Sequence, residues 1–198
     1  MREVELKAVV DDLPMRRKMI EDAGAALSYE GKISDTRYDF ASSDLSQRDE
    51  VLRARRYYDA GGSVRTFLDW KGPTETRDVY KIREEITTPV EDFDSLGQIF
   101  DKLGLVVTWE IDREIAQYQL GSATIRFETY PRMDVLVEVE GDPAAIEAAI
   151  EALGLPRGTF NSASLPDFVV KFEQRTGVRA AISGRELEGD YGFRESGE

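Results

Sequence analysis

Apolar and charged residues alternate at the start of this chain. Val4, Leu6 and Ala8 are separated by charged side chains within residues 3–10. Alternation with a period of two is typical of a strand, whose side chains point to opposite faces in turn. Further extended segments follow, several of them separated by glycine-containing turns. The pattern predicts eight strands, over residues 3–10, 27–40, 51–58, 63–71, 77–87, 105–118, 122–130 and 133–140.

Four other segments carry apolar residues at helical spacing. The first follows Asp11-Asp12, which supplies a cap for a helix with Pro14 in its first turn. The others extend over residues 92–103, 142–154 and 165–173, whereas Ser42-Ser43-Asp44 is typical of a loop. From Thr176 the sequence is rich in Gly, Glu and Arg and has little periodicity. We therefore expect one domain over residues 1–175 and a flexible tail over residues 176–198.

Composition restricts the chemistry of this 198-residue chain. Its formal net charge is −13 and its pI is about 4.6, so it should repel nucleic acid rather than bind it. The chain contains no cysteine and no histidine, so any metal must be held by oxygen ligands, which favours Mg²⁺, Mn²⁺ or Ca²⁺. No segment has the length of a membrane span, and the first residues lack the apolar stretch of a signal peptide. We expect a cytoplasmic protein without membrane contacts.

The charged faces of the predicted strands differ from ordinary solvated faces. A solvated face would account for any one strand taken alone, but arginine recurs on these faces across the set. Acidic residues also concentrate on the first and last strands, and basic residues on the middle ones. The charged positions that share faces are Glu3, Glu5 and Lys7; Arg53 and Arg55; Arg65, Asp69 and Lys71; Lys81, Arg83 and Glu85; Arg126 and Glu128; and Glu138 and Glu140.

Charged faces can point inward if the strands close into a barrel and helices cover the apolar outer faces. We therefore predict an α+β fold, a closed eight-stranded antiparallel β-barrel with helices packed on its outside. A charged interior is stable only if cations neutralise the carboxylates and anions neutralise the arginine and lysine side chains. A polyphosphate bound together with a divalent metal ion satisfies both requirements.

Several motifs occur in an order that matches one family. Residues 3–7 form an ExExK motif, residues 52–56 read Leu-Arg-Ala-Arg-Arg, and residues 71–73 form a lysine-glycine-proline turn. An RxE motif at residues 83–85 and an ExE motif at residues 138–140 follow. This series resembles the CYTH superfamily, also called the triphosphate tunnel metalloenzymes. The turn resembles the branch that contains class IV adenylyl cyclases and thiamine triphosphatases, and the resemblance covers about residues 2–173.

The resemblance implies a tunnel in which metal-dependent chemistry acts on a triphosphate. The carboxylates that it assigns to Mg²⁺ or Mn²⁺ are Glu3, Glu5, Glu128, Glu138 and Glu140. The cations that it assigns to the phosphates are Lys7, Arg53, Arg55, Lys71, Arg83, Arg113 and Arg126. Glu85 is the candidate base and Lys7 a second candidate catalytic residue. In the sixth strand Ile111 stands where the family usually has a lysine. Either one phosphate contact is lost, for which Arg126 would compensate, or this strand aligns with the family pattern two residues away.

Three functions remain open at this point. The first is hydrolysis of a phosphoanhydride bond in inorganic, thiamine or nucleoside triphosphate. Metal ions would polarise the triphosphate, and Arg and Lys side chains would stabilise the negative charge that develops on its oxygens. The second is a class IV adenylyl cyclase, which would form cyclic AMP and pyrophosphate from ATP and would need a pocket for the base. The third is a module that binds polyphosphate or a nucleotide without turnover. A homodimer also remains open.

Overall fold

The computed structural model describes residues 2–59 and 61–195. In these residues the extended segments predicted from the alternation form nine strands in one sheet. The strands are β1 (Arg2–Val9), β2 (Ala26–Phe40), β3 (Val51–Asp59), β4 (Val64–Lys71), β5 (Glu75–Arg77), β6 (Tyr80–Val90), β7 (Leu105–Leu120), β8 (Ala123–Thr129) and β9 (Leu136–Glu140).

Eight of these strands close into an antiparallel barrel. Their order is β1-β9-β8-β7-β2-β3-β4-β6, and β6 pairs with β1 to complete the circle. At the closure Glu3 lies opposite Arg83, and on the other side of β1 Lys7 lies opposite Glu138. The short β5 adds a ninth strand beside β6. The predicted fold, a closed eight-stranded barrel within an α+β protein, is confirmed.

Helices pack on the outside of the barrel. Aspartates precede three of them and accept a hydrogen bond from the first turn, as Asp12 does from the backbone N–H of Met15 at 3.0 Å. Asp92 and Asp142 cap their helices in the same way. The α-helices are α1 (Leu13–Asp22), α2 (Asp44–Gln47), α3 (Phe93–Lys102), α4 (Pro143–Leu153), α5 (Leu165–Thr176), α6 (Gly184–Leu187) and α7 (Gly192–Glu195).

The main apolar core lies between the barrel wall and two of these helices. Leu6 and Val137, which alternate with charged residues on β1 and β9, are fully buried in this core. Ile20 of α1 and Ile146 of α4 are fully buried in the same cluster. Because the apolar faces are covered from outside, the charged faces of the strands are left to line the interior.

The segment after Thr176 differs from the flexible tail that the composition led us to expect. Ala180, Ala181 and Ile182 are fully buried, and Ile182 accepts a hydrogen bond from the backbone N–H of Asp112 at 2.7 Å. The physical reason is a short apolar run that the surrounding charged residues mask in the sequence. This run packs in a second core cluster beside α5. Residues 196–198 of the expected tail lie outside the described residues.

Two local elements also differ from the prediction. The loop expected at Ser42-Ser43-Asp44 leads into the short helix α2, which begins at Asp44. Asp39 holds this helix by accepting hydrogen bonds from the backbone N–H groups of Leu45 and Ser46, both at 2.9 Å. The single strand expected over 77–87 is divided into β5 and β6 by a turn at Asp78, which has a φ of 56°. Within the described part of the chain, no helix combines the length and apolar character needed to cross a membrane.

Candidate functional site in the barrel interior

The barrel interior is lined by charged side chains because the strand registers place alternate residues in it. Arg55 lies opposite Asp35 on β2, and Arg53 lies opposite Asp69 on β4. Arg53 exposes 6% of its surface and Asp35 none. A charge this deeply buried must be paired, so the interior is best described through its ion pairs.

Asp35 is shared by three arginines. Its Oδ1 accepts a hydrogen bond from Arg55 Nε at 2.7 Å, and its Oδ2 accepts bonds from Arg55 Nη2 at 2.9 Å and Arg113 Nη1 at 3.0 Å. Arg53 Nη1 lies 3.5 Å from Oδ2. Burial would raise the pKa of Asp35, but Arg55, Arg113 and Arg53 hold it well below its ordinary value. Asp35 therefore orients a group of arginines and stays ionised at neutral pH.

A second set of contacts links the arginines to the acidic side of the barrel. Arg53 donates from Nη2 to Asp69 Oδ2 at 2.6 Å and lies 3.6 Å from Glu85 Oε1. Lys71 Nζ lies 2.5 Å from Glu3 Oε2 and 3.4 Å from Glu85 Oε2. Glu85 thus lies at the boundary between the basic and acidic parts of the interior.

Three carboxylates converge on the acidic side. Glu3, Glu138 and Glu140 each place one oxygen within 4.8 Å of the others. Partial burial and the negative charges of Glu3 and Glu138 together raise the pKa of Glu140 to about 7. Three crowded carboxylate oxygens are a suitable ligand set for a hard divalent cation, which would relieve their repulsion.

Glu5, which the family resemblance assigns to the metal, is engaged by lysines instead. Its Oε1 lies 3.0 Å from Lys7 Nζ and 2.8 Å from Lys81 Nζ. Lys7 also reaches Glu138 Oε2 at 2.6 Å. Burial alone would lower the pKa of Lys7, but Glu138 and Glu5 outweigh that effect and raise it above its ordinary value. Lys7 is therefore a permanent cation at neutral pH and not a base.

Glu128 also lies apart from the three clustered carboxylates. Its Oε2 accepts a hydrogen bond from the Tyr130 hydroxyl at 2.6 Å, and its Oε1 lies 3.1 Å from Arg113 Nε. Arg126 donates from Nη1 to Glu138 at 2.7 Å and from Nε to Gln117 Oε1 at 3.0 Å. Glu128 therefore orients Arg113, and Arg126 faces the acidic cluster.

Two further predicted positions differ in character. Arg83 donates from Nε to the Gly72 carbonyl at 2.6 Å, and a second nitrogen contacts the Asp49 carbonyl. Backbone acceptors thus fix this side chain at the rim of the interior. Ile111 exposes 1% of its surface and packs with Trp109 and Tyr130, so this part of the wall is apolar.

Two cavities lie along the interior and share a girdle of charged residues. One has a volume of about 300 Å³ and the other about 420 Å³. The residues that line both are Glu3, Arg55, Lys71 and Arg126. An elongated anion lying across this girdle would contact both the arginines and the acidic cluster.

The two cavities end differently. The larger one reaches Glu140 and an aromatic group in which Tyr57 packs edge-on against Tyr29 and Phe67, at centroid distances of 5.4 and 5.8 Å. The smaller one reaches the first turn of α5 at Leu165. The barrel interior is therefore a tunnel with an aromatic opening at one end and α5 at the other.

Sequence reasoning did not assign roles to several residues of this interior. They are Asp35, Arg37, Asp69, Lys81 and Tyr130. The sequence alone indicates that Asp69 and Lys81 lie on charged strand faces. Ile33, Asp35 and Arg37 occupy every second position of β2 and therefore share one face of that strand. The alternation could have indicated Asp35 and Arg37, but the tyrosines and the bulge in β2 obscure it.

Comparison with known proteins gives a match over most of the chain. The family model for the CYTH domain matches residues 1–154. A sequence relative, "Putative adenylate cyclase MJ0240" of Methanocaldococcus jannaschii, is 33% identical over 104 residues. That alignment covers 52% of this chain and 56% of the relative, so the chain spans about half the length of the curated relative that it matches.

Solved structures share the fold at low sequence identity. A "putative adenylate cyclase" from Vibrio parahaemolyticus superposes with a TM-score of 0.72 at 19% identity, covering 85% of this chain and 97% of that one. A Hippeastrum protein, "Putative adenylyl cyclase HpAC1", is described as having a dominant triphosphatase activity. It superposes with a TM-score of 0.59 at 16% identity, covering 89% and 95% of the two chains. At these identities the likeness concerns the fold.

Proposed function

The chain belongs to the CYTH domain family, and from this premise we propose that it is a metal-dependent enzyme that hydrolyses a phosphoanhydride bond of a triphosphate. One observation carries the proposal. The acidic cluster of Glu3, Glu138 and Glu140 lies beside a group of arginines, and Lys71 contacts Glu3 at their boundary. A single ligand with both an anionic chain and a coordinated cation complements this arrangement.

The acidic cluster is the proposed site for Mg²⁺ or Mn²⁺. A bound divalent ion would supply Lewis-acid polarisation of a phosphoryl oxygen and lower the pKa of coordinated water. Glu3, Glu138 and Glu140 would hold it, with Glu5 and Glu128 in supporting roles through Lys7 and Arg113.

The basic residues would bind and orient the phosphates. Arg53, Arg55 and Arg113 are held in place by Asp35 and Asp69, so little conformational freedom remains to be lost when an anion binds. Preorganised cations stabilise the charge that develops on phosphate oxygens as the bond breaks. Lys7 and Arg126, both in contact with Glu138, would direct further positive charge at the same oxygens.

Glu85 is the proposed base. It is half-buried and lies 3.6 Å from Arg53 and 3.4 Å from Lys71, so its carboxylate stays beside the phosphate-binding cations. A carboxylate in this position can accept a proton from an attacking water while the neighbouring cations hold the phosphate. The absence of histidine from the chain leaves carboxylates as the available side-chain bases near neutral pH.

Cyclisation of ATP is the second candidate. The aromatic opening formed by Tyr29, Tyr57 and Phe67 offers an apolar surface beside the tunnel on which a purine could stack. Hydrolysis needs no such surface, so the opening favours an organic triphosphate in either reaction. The curated sequence relative is named a putative adenylate cyclase, and the Hippeastrum structural neighbour, also named a putative adenylyl cyclase, is described as having a dominant triphosphatase activity.

One assay separates these functions. The protein is incubated with tripolyphosphate, thiamine triphosphate or ATP, each with Mg²⁺, Mn²⁺ or a chelator, and orthophosphate, pyrophosphate and cyclic AMP are quantified. Hydrolysis predicts metal-dependent orthophosphate, and cyclisation predicts cyclic AMP with equimolar pyrophosphate. The control is Asp22→Asn, which changes an exposed acid on α1 far from the interior. Binding without any product would contradict the proposal and leave a binding module.

A further inference from the structure

The three rings of the aromatic opening would form a cage for a cation if no other charge lay beside them. Tyr57 packs edge-on against both Tyr29 and Phe67, and the faces of such rings attract cations, a quaternary nitrogen included. Two guanidinium groups, however, already lie over Tyr57. That of Arg55 is 5.9 Å from the ring centroid and that of Arg65 is 5.7 Å from it. The protein's own cations therefore occupy the place that a cationic ligand would use.

The positive charge of Arg65 has no counter-ion in the opening. Arg55 is paired with Asp35, but no carboxylate of the described residues lies within ion-pair distance of Arg65. The carboxylates that line the same cavity are engaged elsewhere: Asp69 with Arg53, Glu85 with Lys71, and Glu3 and Glu140 in the acidic cluster. The opening therefore carries an unbalanced positive charge.

A glutamine in the same cavity presents a hydrogen-bond donor to it. The nitrogens of an arginine only donate, so the bond of 3.0 Å from Arg126 Nε fixes Oε1 of Gln117 toward Arg126. Gln117 Nε2 consequently faces Ser28, whose Oγ accepts its hydrogen bond at 3.3 Å. An amide nitrogen carries two hydrogens, and no acceptor for the second is found among the described residues. A ligand in the opening thus meets N–H donors from Gln117 and Arg65.

One molecule can contact this opening and the charged girdle at once. The cavity of about 420 Å³ is lined by Tyr57, Arg65 and Gln117 and also by Lys71 and Arg126 of the girdle. A triphosphate whose phosphates lie at the girdle would therefore extend its organic group toward the opening.

We propose that Arg65 and Gln117 make the opening selective for a triphosphate whose organic group is neutral and carries hydrogen-bond acceptors, as a nucleobase does, over one whose organic group is cationic, as a thiazolium is. The inference rests on the proposed function, because it requires the phosphates to lie in the tunnel. A neutral heterocycle stacks on the rings and accepts from the donors. A cationic ring is repelled by Arg65 and finds no unengaged carboxylate beside it.

The test measures three affinities in the parent and in each variant. Titration calorimetry with divalent metals chelated, which prevents metal-dependent turnover, gives the Kd of ATP, thiamine triphosphate and tripolyphosphate at matched ionic strength. Tripolyphosphate has no organic group, so its affinity reports the phosphate site alone. The variants are Arg65→Gln and Gln117→Glu. The matched control is Arg56→Gln, because Arg56 also lies over an aromatic ring, that of Phe93 at 4.2 Å, but lines neither interior cavity.

We expect the parent to bind ATP more tightly than thiamine triphosphate. Arg65→Gln should narrow this ratio by roughly three- to tenfold, because it removes one unit charge beside the organic group, and should leave tripolyphosphate affinity within about twofold of the parent. Gln117→Glu keeps an oxygen facing Arg126 but replaces the donor by a carboxylate oxygen, so it should narrow the ratio as well. Arg65→Lys, which keeps the charge, should keep most of the selectivity, and Arg56→Gln should match the parent.

The outcomes that contradict the inference differ from those that contradict the proposed function. A parent that binds thiamine triphosphate as tightly as ATP would overturn the inference, and so would an Arg65→Gln variant with the parent's ratio. Equal weakening of all three anions in Arg65→Gln would move Arg65 into the phosphate site and overturn it too. In each of these cases the binding of tripolyphosphate by the parent leaves the proposed function standing. A parent that does not bind tripolyphosphate would overturn both.

Discussion

Replacing Asp35 by Asn should destabilise the protein more than any exposed Asp→Asn substitution. Asp35 is fully buried and balances Arg55, Arg113 and, at 3.5 Å, Arg53. Asparagine has nearly the same shape but no charge, so three buried guanidiniums would lose their common counter-ion. Removing one partner of a buried ion pair typically costs about 3–5 kcal/mol of unfolding free energy.

The tunnel moderates this loss because water and chloride can enter beside the arginines. We therefore expect the lower end of that range, about 3 kcal/mol, which lowers Tm by roughly 6–12 °C in a protein of this size. The lowered pKa of Asp35 determines how its contribution to the unfolding free energy changes with pH. A carboxylate whose pKa is lower in the folded state stabilises it above the unfolded value of 3.8 and loses that effect as the pH falls.

The assay is urea unfolding at pH 7 in chloride buffer with metals chelated, so that no phosphate or sulfate replaces the lost carboxylate. The control is Asp22→Asn, which removes an exposed pair with Lys18 at 2.9 Å and should cost no more than about 0.5 kcal/mol. If Asp35→Asn costs as little as the control, the arginines do not depend on Asp35 and the description of the interior as a balanced charge network is wrong.

Three further predictions concern the two halves of the site. Glu3→Gln should weaken Mn²⁺ binding by at least tenfold, and Glu5→Gln should weaken it less, because Lys7 and Lys81 already engage Glu5. Calorimetry with Mn²⁺ alone measures both affinities, and a larger loss for Glu5→Gln than for Glu3→Gln would refute the assignment. Binding of Mn²⁺ should weaken as the pH falls through about 7, because a proton then occupies Glu140. The charged groups that face Glu140 are Glu3, Glu138, Arg126 and Lys71. A Mn²⁺ affinity that stays constant from pH 8 to pH 6 would contradict this prediction. Arg53→Ala should weaken tripolyphosphate binding by about 1.5–3 kcal/mol, measured against Arg65→Ala at the tunnel opening, and indistinguishable titration curves for Arg53→Ala and the parent would place Arg53 outside the phosphate site.

Much of the fold follows from local sequence patterns. The alternation in β1 and β9 assigns Leu6 and Val137 to the outer core and Lys7 and Glu138 to the interior, and the structure has them there. Aspartate followed by apolar residues at helical spacing identifies α1, α3 and α4. Such features depend on residues close together in the chain, which is why the sequence alone predicts them.

The contacts within the site depend on which strands become neighbours. Asp35 is central because β2 pairs on one side with β3, the next strand of the chain, and on the other side with β7, which is far from β2 in sequence. The same limit applies to Ala180–Ile182, where three apolar residues are too few to show a period but are buried against Arg132 and Asp112 of other elements. Strand alternation identifies the face of a residue, but only the assembled barrel identifies its partner.

A crystal structure with tripolyphosphate and Mn²⁺ would test the central claim most directly. Data collected at the manganese absorption edge locate the ion independently of the phosphates. We predict an anomalous peak within coordination distance of Glu3, Glu138 and Glu140, and a tripolyphosphate in the tunnel contacting Arg53 and Arg55. Manganese bound outside the barrel, or a tripolyphosphate bound only on the outer surface, would contradict the account.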